Sequence, residues 1–115
     1  MPTSTIYHMS TKEEWEIALA TGVYHGSSQD REDGFIHFST KDQIVDSAAK
    51  HRAGQTGIIL IAADASMFND GLKWETSRNG ELFPHLYTDL DLDKVIAIYP
   101  LPLGPDGKHI FPKDF

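Results

Sequence analysis

The sequence predicts a small α+β domain with a bent, split sheet, mixed but mostly antiparallel, and two early helices. The 115 residues suffice for one hydrophobic core but not for two, so we expect residues 1–115 to form a single globular domain. Helical patterns lie in the first half of the chain and short strands dominate the second half. That order differs from the regular strand–helix alternation of a doubly wound parallel sheet.

The first helix is predicted by its end signals. Ser10 is followed three residues later by Glu13, which is the capping-box pattern of a helix start, and Gly22 fits a C-terminal stop. The polar stretch 26–34 comes soon afterwards and carries no apolar anchor. We therefore expect it to be a mobile loop.

The second helix is predicted in the same way. Thr40 and Gln43 repeat the capping-box spacing ahead of an apolar stripe, and the helix is expected to end near Gly54. Neither phosphate-loop nor dinucleotide-fold glycine patterns precede either helix. The helices are thus not expected to belong to those nucleotide-binding folds.

Short runs of β-branched and aromatic residues predict the strands. They occur at 6–9, 23–25, 35–38, 58–62, 72–75, 83–87 and 95–99, with a last short pairing near 110–111. The unbroken apolar run 58–62 predicts a central strand covered on both faces, and 95–99 predicts a second buried strand. Pro84 favours an edge strand or the first ladder positions, because proline has no backbone N–H.

Composition excludes several classes of function. A net charge of −7 without a Lys/Arg cluster disfavours a nucleic-acid partner. The absence of cysteine excludes disulfides, thiol nucleophiles and cysteine-ligated metals. The N-terminus lacks the pattern of a signal peptide, and no apolar run is long enough to cross a bilayer. We expect a cytoplasmic protein without a membrane partner.

Three of the six histidines lie within or at the end of a short apolar strand: His8 in IYHM, His37 in FIHFST and His85 in FPHLY. An imidazole is costly to bury unpaired, and its reference pKa of about 6.5 makes it the usual proton carrier near neutral pH. Either each ring is a hydrogen-bonded core residue, or the three rings converge on one cleft. The other three histidines fall in loop or helix-surface settings and receive no role.

Two familiar catalytic arrangements have little support. A Ser-His-carboxylate triad needs a serine on a strained elbow, but no G-x-S-x-G pattern is present, and Ser39 is better explained as the neighbour of a helix cap. A zinc ion held by three histidines is chemically feasible. However, no H-x-H or H-E-x-x-H pair supplies two ligands from one element. We therefore expect no metal.

A carboxylate beside a large ring forms a second candidate group. Glu75 follows Trp74 near a strand end, where burial would desolvate the carboxylate, raise its pKa and suit it to acid–base or ribose-binding work. Trp74 or Tyr87 offers a ring for stacking. The alternative is that the aromatic rings pack in the core and the charges face water.

These motifs together resemble a known family. IYH near the N-terminus, GFIHFST, WE, and FPHLY followed by LDLDKVIAIYPL are similar to the bacterial domain of unknown function 952 over nearly the whole chain. That family has been grouped with the ADP-ribosyltransferase-like fold. The resemblance thus implies this fold and a ligand such as NAD or an ADP-ribose-like nucleotide.

The resemblance also implies roles for individual residues. In that fold a first-strand histidine or arginine holds the nicotinamide-side ribose, and His8 stands at the matching place. His37 lies near the position of the second-motif tyrosine. His85 stands near the motif position at which that fold has a glutamate, and that glutamate stabilises an oxocarbenium-like transition state. A protonated histidine would oppose the positive charge of this transition state. Ordinary protein ADP-ribosylation is therefore disfavoured, unless Glu75 faces the same cleft.

The resulting prediction is a small cytoplasmic enzyme or binder that acts on NAD or an ADP-ribose-like nucleotide through a histidine-lined cleft. Four residues receive catalytic roles: His8, His37, His85 and Glu75. Five receive cofactor-binding roles: His8, His37, Ser39, Trp74 and Tyr87. The alternative is a non-catalytic ligand-binding or protein-interaction module with structural histidines.

Overall fold

In the part of the chain that the structure describes, the main elements are antiparallel strand pairs and three α-helices. The computed structural model describes residues 5–68, 71–77, 80–113 and 115. The helices are α1 (Lys12–Thr21), α2 (Ser28–Asp33) and α3 (Lys41–His51). The strands are β1 (Thr5–Thr11), β2 (Val23–Tyr24), β3 (Ile36–His37), β4 (Ile58–Asp64), β5 (Leu72–Thr76), β6 (Leu82–Leu86), β7 (Leu90–Asp91) and β8 (Val95–Pro100). The predicted α+β class is confirmed.

The strands form three small sheets. Their strand orders are β1-β4-β8, β2-β7 and β3-β6-β5. Every pairing among these strands is antiparallel, so the prediction of some parallel pairing in a mostly antiparallel sheet is wrong. An isolated bridge joins the first sheet to the chain just after β3. In it, the backbone N–H and carbonyl groups of Tyr7 and Ser39 exchange two hydrogen bonds of 2.8 Å.

Strand β4 separates two hydrophobic clusters. Ile61 and Ala63 pack into one of them, whereas Leu60 and Ala62 pack into the other. Successive side chains of a strand point to opposite faces, so a strand covered on both sides needs the continuous apolar run seen here. The prediction of a central, doubly covered strand at 58–62 is confirmed.

Two strand predictions are wrong. Strand β8 is at the edge of its sheet rather than buried, and Ile96 and Ile98 are exposed. Strand β6 is the middle strand of its sheet although it contains Pro84. The carbonyl of Pro84 accepts a hydrogen bond from the N–H of Phe38, just beyond the two-residue strand β3. Proline is tolerated there because the regular pairing with β3 has already ended.

The helix ends follow local capping chemistry. Helix α1 begins one residue later than predicted, because the capping box joins Thr11 and Glu14, while the buried Ser10 donates to the Thr11 carbonyl. Gly22 ends this helix as predicted, with φ at +87°. Before α3, the Gln43 side chain accepts from the Thr40 N–H, as its spacing predicted. None of the described helices is long and apolar enough to span a bilayer.

Helix α2 contradicts the prediction of a mobile loop at 26–34. The Ser27 hydroxyl accepts from the Asp30 N–H, and the Asp30 carboxylate accepts from the Ser27 N–H, which closes a capping box. Gly34 ends the helix with φ at +87°. The anchor of this segment is thus a buried carboxylate, which a search for apolar anchors does not detect.

Candidate functional site

A cavity of about 680 Å³ lies between β1, α2, β3, α3 and β6. Its volume falls in the range of small-molecule sites, roughly 300–1,000 Å³. The three strand histidines line it together with Ser39: His8, His37 and His85. The structure thus brings together four of the seven residues to which the sequence analysis assigned roles.

Strand pairing explains why the three rings meet. His37 lies directly opposite His85 in the β3–β6 ladder, and their ring centroids are 5.6 Å apart. His8 belongs to a different sheet, but the bridge after β3 places it beside His37, whose carbonyl accepts from His8 Nδ1 at 2.6 Å. The convergence therefore depends on pairing between residues far apart in the chain.

His8 is buried and both of its ring nitrogens are bonded within the protein. Nδ1 contacts a carbonyl and so carries the proton, which leaves Nε2 to accept from the Tyr24 hydroxyl at 2.7 Å. Burial lowers the pKa of His8, and the charges of Arg52 and His37 lower it further, while Asp30 and the carbonyl contact oppose them. We conclude that His8 is neutral and is a structural organiser of the site.

Asp30 is the buried acid of the site, and sequence reasoning missed it. Only 3% of this residue is exposed, and Oδ1 accepts from both the backbone N–H and the ring Nδ1 of His37, at 3.1 and 2.5 Å. Oδ2 accepts from the Ser27 N–H at 2.8 Å and lies 3.4 Å from His8 Nε2. The Ser-x-x-Asp capping pattern is the sequence signal that would have found this residue.

The hydrogen bonds of Asp30 favour its ionised form. Burial by itself would raise the pKa of Asp30, but the His37 ring, the His8 ring and the N–H groups of Ser27 and His37 together hold it well below its ordinary value. Because His8 is neutral, we attribute most of the side-chain effect to His37. The result is a buried charge whose hydrogen-bond donors are the N–H of Ser27 at the start of α2 and the backbone and ring N–H groups of His37 on β3.

His37 lies between two carboxylates of helix α2. Its Nδ1 faces Asp30, and its Nε2 lies 3.1 Å from Oδ2 of Asp33. The contact with Asp30 is a hydrogen bond, and the contact with Asp33 is an ion pair when the ring is protonated, because an imidazolium carries a proton on each nitrogen. His37 is 40% exposed, in contrast to His8, and therefore has a side open to the cavity.

His85 and Glu75 form a second histidine–carboxylate pair. The Nδ1 of His85 donates to Oε1 of Glu75 at 2.8 Å, and the Tyr87 hydroxyl donates to the same oxygen at 2.6 Å. The Nε2 of His85 has no hydrogen-bond partner in the described part of the chain. A histidine oriented by a carboxylate through Nδ1, with Nε2 unoccupied, is the usual arrangement of a general base.

The expected desolvation of Glu75 beside Trp74 is wrong. The hydrogen bond from Tyr87, followed by that from His85, holds the pKa of Glu75 below its ordinary value. Its side chain is 38% exposed, and Trp74 is 45% exposed. Polar contacts rather than burial therefore determine the charge of this carboxylate.

The two aromatic residues predicted to stack on a ligand do not line the cavity. Trp74 is exposed on strand β5. The ring of Tyr87 lies 5.1 Å from that of Phe35 and 5.2 Å from Nζ of Lys73. Phe35 in turn stacks on His85 at 4.2 Å, so these rings support His85 from outside the cavity.

Ser39 and Arg52 also contribute to the polar lining. The Ser39 hydroxyl lies 3.3 Å from that of Ser47 on α3. Arg52 is the one lysine or arginine among the described lining residues, and its Nη1 donates to Gln55 at 3.2 Å. Sequence reasoning gave Arg52 no role, because a single arginine at the end of a helix carries no distinctive pattern.

No group of three or more His, Asp or Glu side chains is arranged to hold a metal within residues 5–68, 71–77, 80–113 and 115. Two further histidines lie outside the cavity: His25 pairs with Asp89 at 2.9 Å, and His109 contacts the Gln55 carbonyl at 2.8 Å. His109 is buried, which differs from the loop or helix-surface setting expected for it. The prediction that the protein needs no metal stays a prediction.

Comparison with known families assigns the chain. The model described as "Protein of unknown function (DUF952)" matches residues 9–98. The chain belongs to the DUF952 family. This match spans most of the domain and includes His37 and His85, but it begins one residue after His8.

Solved structures resemble this DUF952 chain closely. The crystal structure of protein CC0527 from Caulobacter crescentus is 40% identical, with a TM-score of 0.90 over 92% of this chain and 93% of that one. The solution NMR structure of CC0527 is 41% identical, with a TM-score of 0.82 over 91% and 90% of the two chains. None of the curated proteins compared with the chain gives a significant match.

Proposed function

We propose that the cavity binds NAD or an ADP-ribose-like nucleotide, and that the domain is an ADP-ribosyltransferase-like protein. The observation that carries the proposal is the convergence of His8, His37 and His85 on a single cavity. The resemblance of the strand motifs to that fold predicted a nucleotide cleft at these same three positions.

The chemistry of the lining suits such a ligand. Nucleotides of this class combine ribose hydroxyls, a pyrophosphate and aromatic bases. The cavity offers hydroxyl groups of Ser39 and Ser47, the guanidinium of Arg52, and apolar ring surface from Phe38 and Phe83. A few polar groups that orient the ligand against apolar walls are typical of ligand sites.

His85 is the residue we propose for acid–base chemistry. Glu75 and Tyr87 act through His85: the Tyr87 hydroxyl donates a hydrogen bond to Glu75, and Glu75 accepts a hydrogen bond from the Nδ1–H of His85. This leaves Nε2 to accept a proton from a ribose hydroxyl or from an acceptor that attacks the ribose. In the neutral form His85 does not oppose positive charge that develops on the ribose, although it stands near the position at which true transferases of that fold have a glutamate.

Binding is tested by thermal unfolding with NAD, ADP-ribose and adenosine. A ligand present at one hundred times its Kd should stabilise the native state by about 2.7 kcal/mol. We expect His85→Gln to reduce this stabilisation, and His25→Gln, which removes an exposed histidine outside the cavity, to leave it unchanged. A lack of stabilisation by both NAD and ADP-ribose at millimolar concentration would refute nucleotide binding.

A non-catalytic binding module is the second candidate. It is favoured by His8, whose two ring nitrogens are both bonded within the protein, so that this ring has no free group for chemistry. The two candidates differ in turnover. NMR of NAD incubated with the protein should show released nicotinamide if the site is catalytic, and His85→Gln should abolish the release. Saturable NAD binding with an unchanged NAD spectrum would support the binding module instead.

A further inference from the structure

The two carboxylates that face His37 differ in how firmly they are held. Asp30 is 3% exposed and is bonded to three backbone and side-chain groups, whereas Asp33 is 38% exposed. Besides the His37 ring, Asp33 contacts only the side-chain amide of Gln29, at 3.2 Å, among the described residues. Asp30 is therefore a fixed part of the site, and Asp33 is a partner that can be exchanged.

The position of Asp33 matches that of an external anion. Its oxygen lies 3.1 Å from Nε2 of His37, on the more exposed side of the ring, and both residues line the cavity. Ion pairs between exposed groups contribute little net free energy, because water solvates the separated charges almost as well. Rotation of the Asp33 side chain into solvent would leave Nε2 of the protonated ring free to pair with an anion in the cavity.

We propose that Nε2 of His37 is the anchor of a phosphate-binding site, and that the Asp33 carboxylate fills this site until a phosphate group of the ligand replaces it. This inference rests on the proposed function, because it assigns the pyrophosphate of the nucleotide to this end of the cavity. Asp33 would then act as an internal competitor that lowers the affinity for every phosphate-containing ligand.

The exchange keeps an anion on the Nε2 side of His37. Asp30 already neutralises the ring from the Nδ1 side, so a phosphate oxygen that replaces Asp33 substitutes one anion for another. Arg52 lines the same cavity, and its charge and that of His37 both reach the His8 ring, where both lower the pKa. A phosphate in this cavity thus shares it with a second cation, Arg52.

The competitor model makes a quantitative prediction. If Asp33 blocks the site for most of the time, the apparent Kd equals the intrinsic Kd divided by the fraction of open sites. Replacing Asp33 by Asn removes the competing charge and should tighten the binding of inorganic pyrophosphate about three- to tenfold. The matched control is Glu32→Gln, which removes one charge from the same helix at an exposed position that does not line the cavity.

The experiment measures the Kd of inorganic pyrophosphate by NMR titration of both variants and the wild type. We expect a tighter Kd in Asp33→Asn only, with the largest perturbation at the side-chain 15Nε2 of His37. The double variant Asp33→Asn/His37→Gln should lose the gain. Equal affinities in Asp33→Asn and Glu32→Gln, or an unperturbed His37 Nε2 signal at saturation, would overturn the inference.

Failure of the inference about Asp33 and the phosphate site is distinguishable from failure of the proposed function. NAD binding that is equally strong in the wild type and Asp33→Asn would retain the nucleotide site and overturn the role of Asp33. Tighter pyrophosphate binding in Asp33→Asn with no binding of NAD or ADP-ribose would support the phosphate site and overturn the nucleotide proposal.

Discussion

Replacing Asp30 by Asn tests whether the buried carboxylate holds the site together. The substitution preserves shape but removes the charge and turns one oxygen into a donor that faces N–H groups. Hydrogen bonds to a charged group contribute about 1.5–3 kcal/mol each, and removing one member of a buried pair costs about 3–5 kcal/mol. Since Asn retains one acceptor, we expect a loss of about 3 kcal/mol in the free energy of unfolding.

The assay is urea unfolding at pH 7, followed by far-UV circular dichroism and by the fluorescence of Trp15, which packs near Tyr24 in the core. For a chain of this size a loss of about 3 kcal/mol corresponds to a fall in Tm on the order of 10 °C. Glu32→Gln is the control, because it removes an exposed carboxylate from the same helix. A loss below about 1 kcal/mol, or one equal to that of the control, would refute the reasoning.

The pH dependence gives an independent check on Asp30. Its pKa in the folded protein lies below the unfolded value of about 3.9, so below that pH the unfolded chain binds more protons at this site. The contribution of the carboxylate is therefore complete above the unfolded pKa and declines as the pH falls through the folded pKa. The stability difference between the wild type and Asp30→Asn should shrink below about pH 4. A difference that stays constant from pH 4 to pH 2 would contradict the assignment of the charge to Asp30.

Three further predictions concern the core, a turn and a titration. Leu60→Ala in the doubly covered strand should lower the free energy of unfolding in urea by about 2–5 kcal/mol. Ile96→Ala at the exposed edge strand should lower it by less than about 1 kcal/mol, and similar losses for the two variants would contradict the assignment of the core. Gly26→Ala should destabilise more than Gly54→Ala in thermal unfolding: both have positive φ, but only at Gly26 would a Cβ meet another side chain at 2.8 Å. Because burial lowers the pKa of His8 on folding, its ring should titrate below the reference value of about 6.5 in histidine NMR of the folded protein. Protonation of the unfolded chain below about pH 6.5 should then reduce stability by at most about 1.4 kcal/mol per pH unit, and a folded-state titration at or above the reference value would refute the burial argument.

The sequence by itself determined the features that depend on neighbouring residues. The end of α1 at Gly22 and the start of α3 at Thr40 follow from hydrogen bonds within one turn of the chain, so their patterns could be interpreted directly. The apolar run of β4 likewise predicted a strand covered on both faces. Where a local pattern offered two close alternatives, as at Ser10 and Thr11, the prediction was off by one residue.

Only the tertiary structure decided which side chains meet. The cross-strand pairing of His37 with His85 and the bridge of Tyr7 with Ser39 beside His8 join residues 48 and 32 positions apart, and the sequence contains no local signal for them. Asp30 was missed because a polar segment without apolar residues was expected to be mobile, whereas this segment is anchored by a carboxylate in the core. A buried charge is stable only when it is paired and hydrogen-bonded, and the partners of Asp30 at Ser27 and His37 come within reach when helix α2 packs against β3. Strand register and burial create that environment, and both arise only when the whole chain is folded.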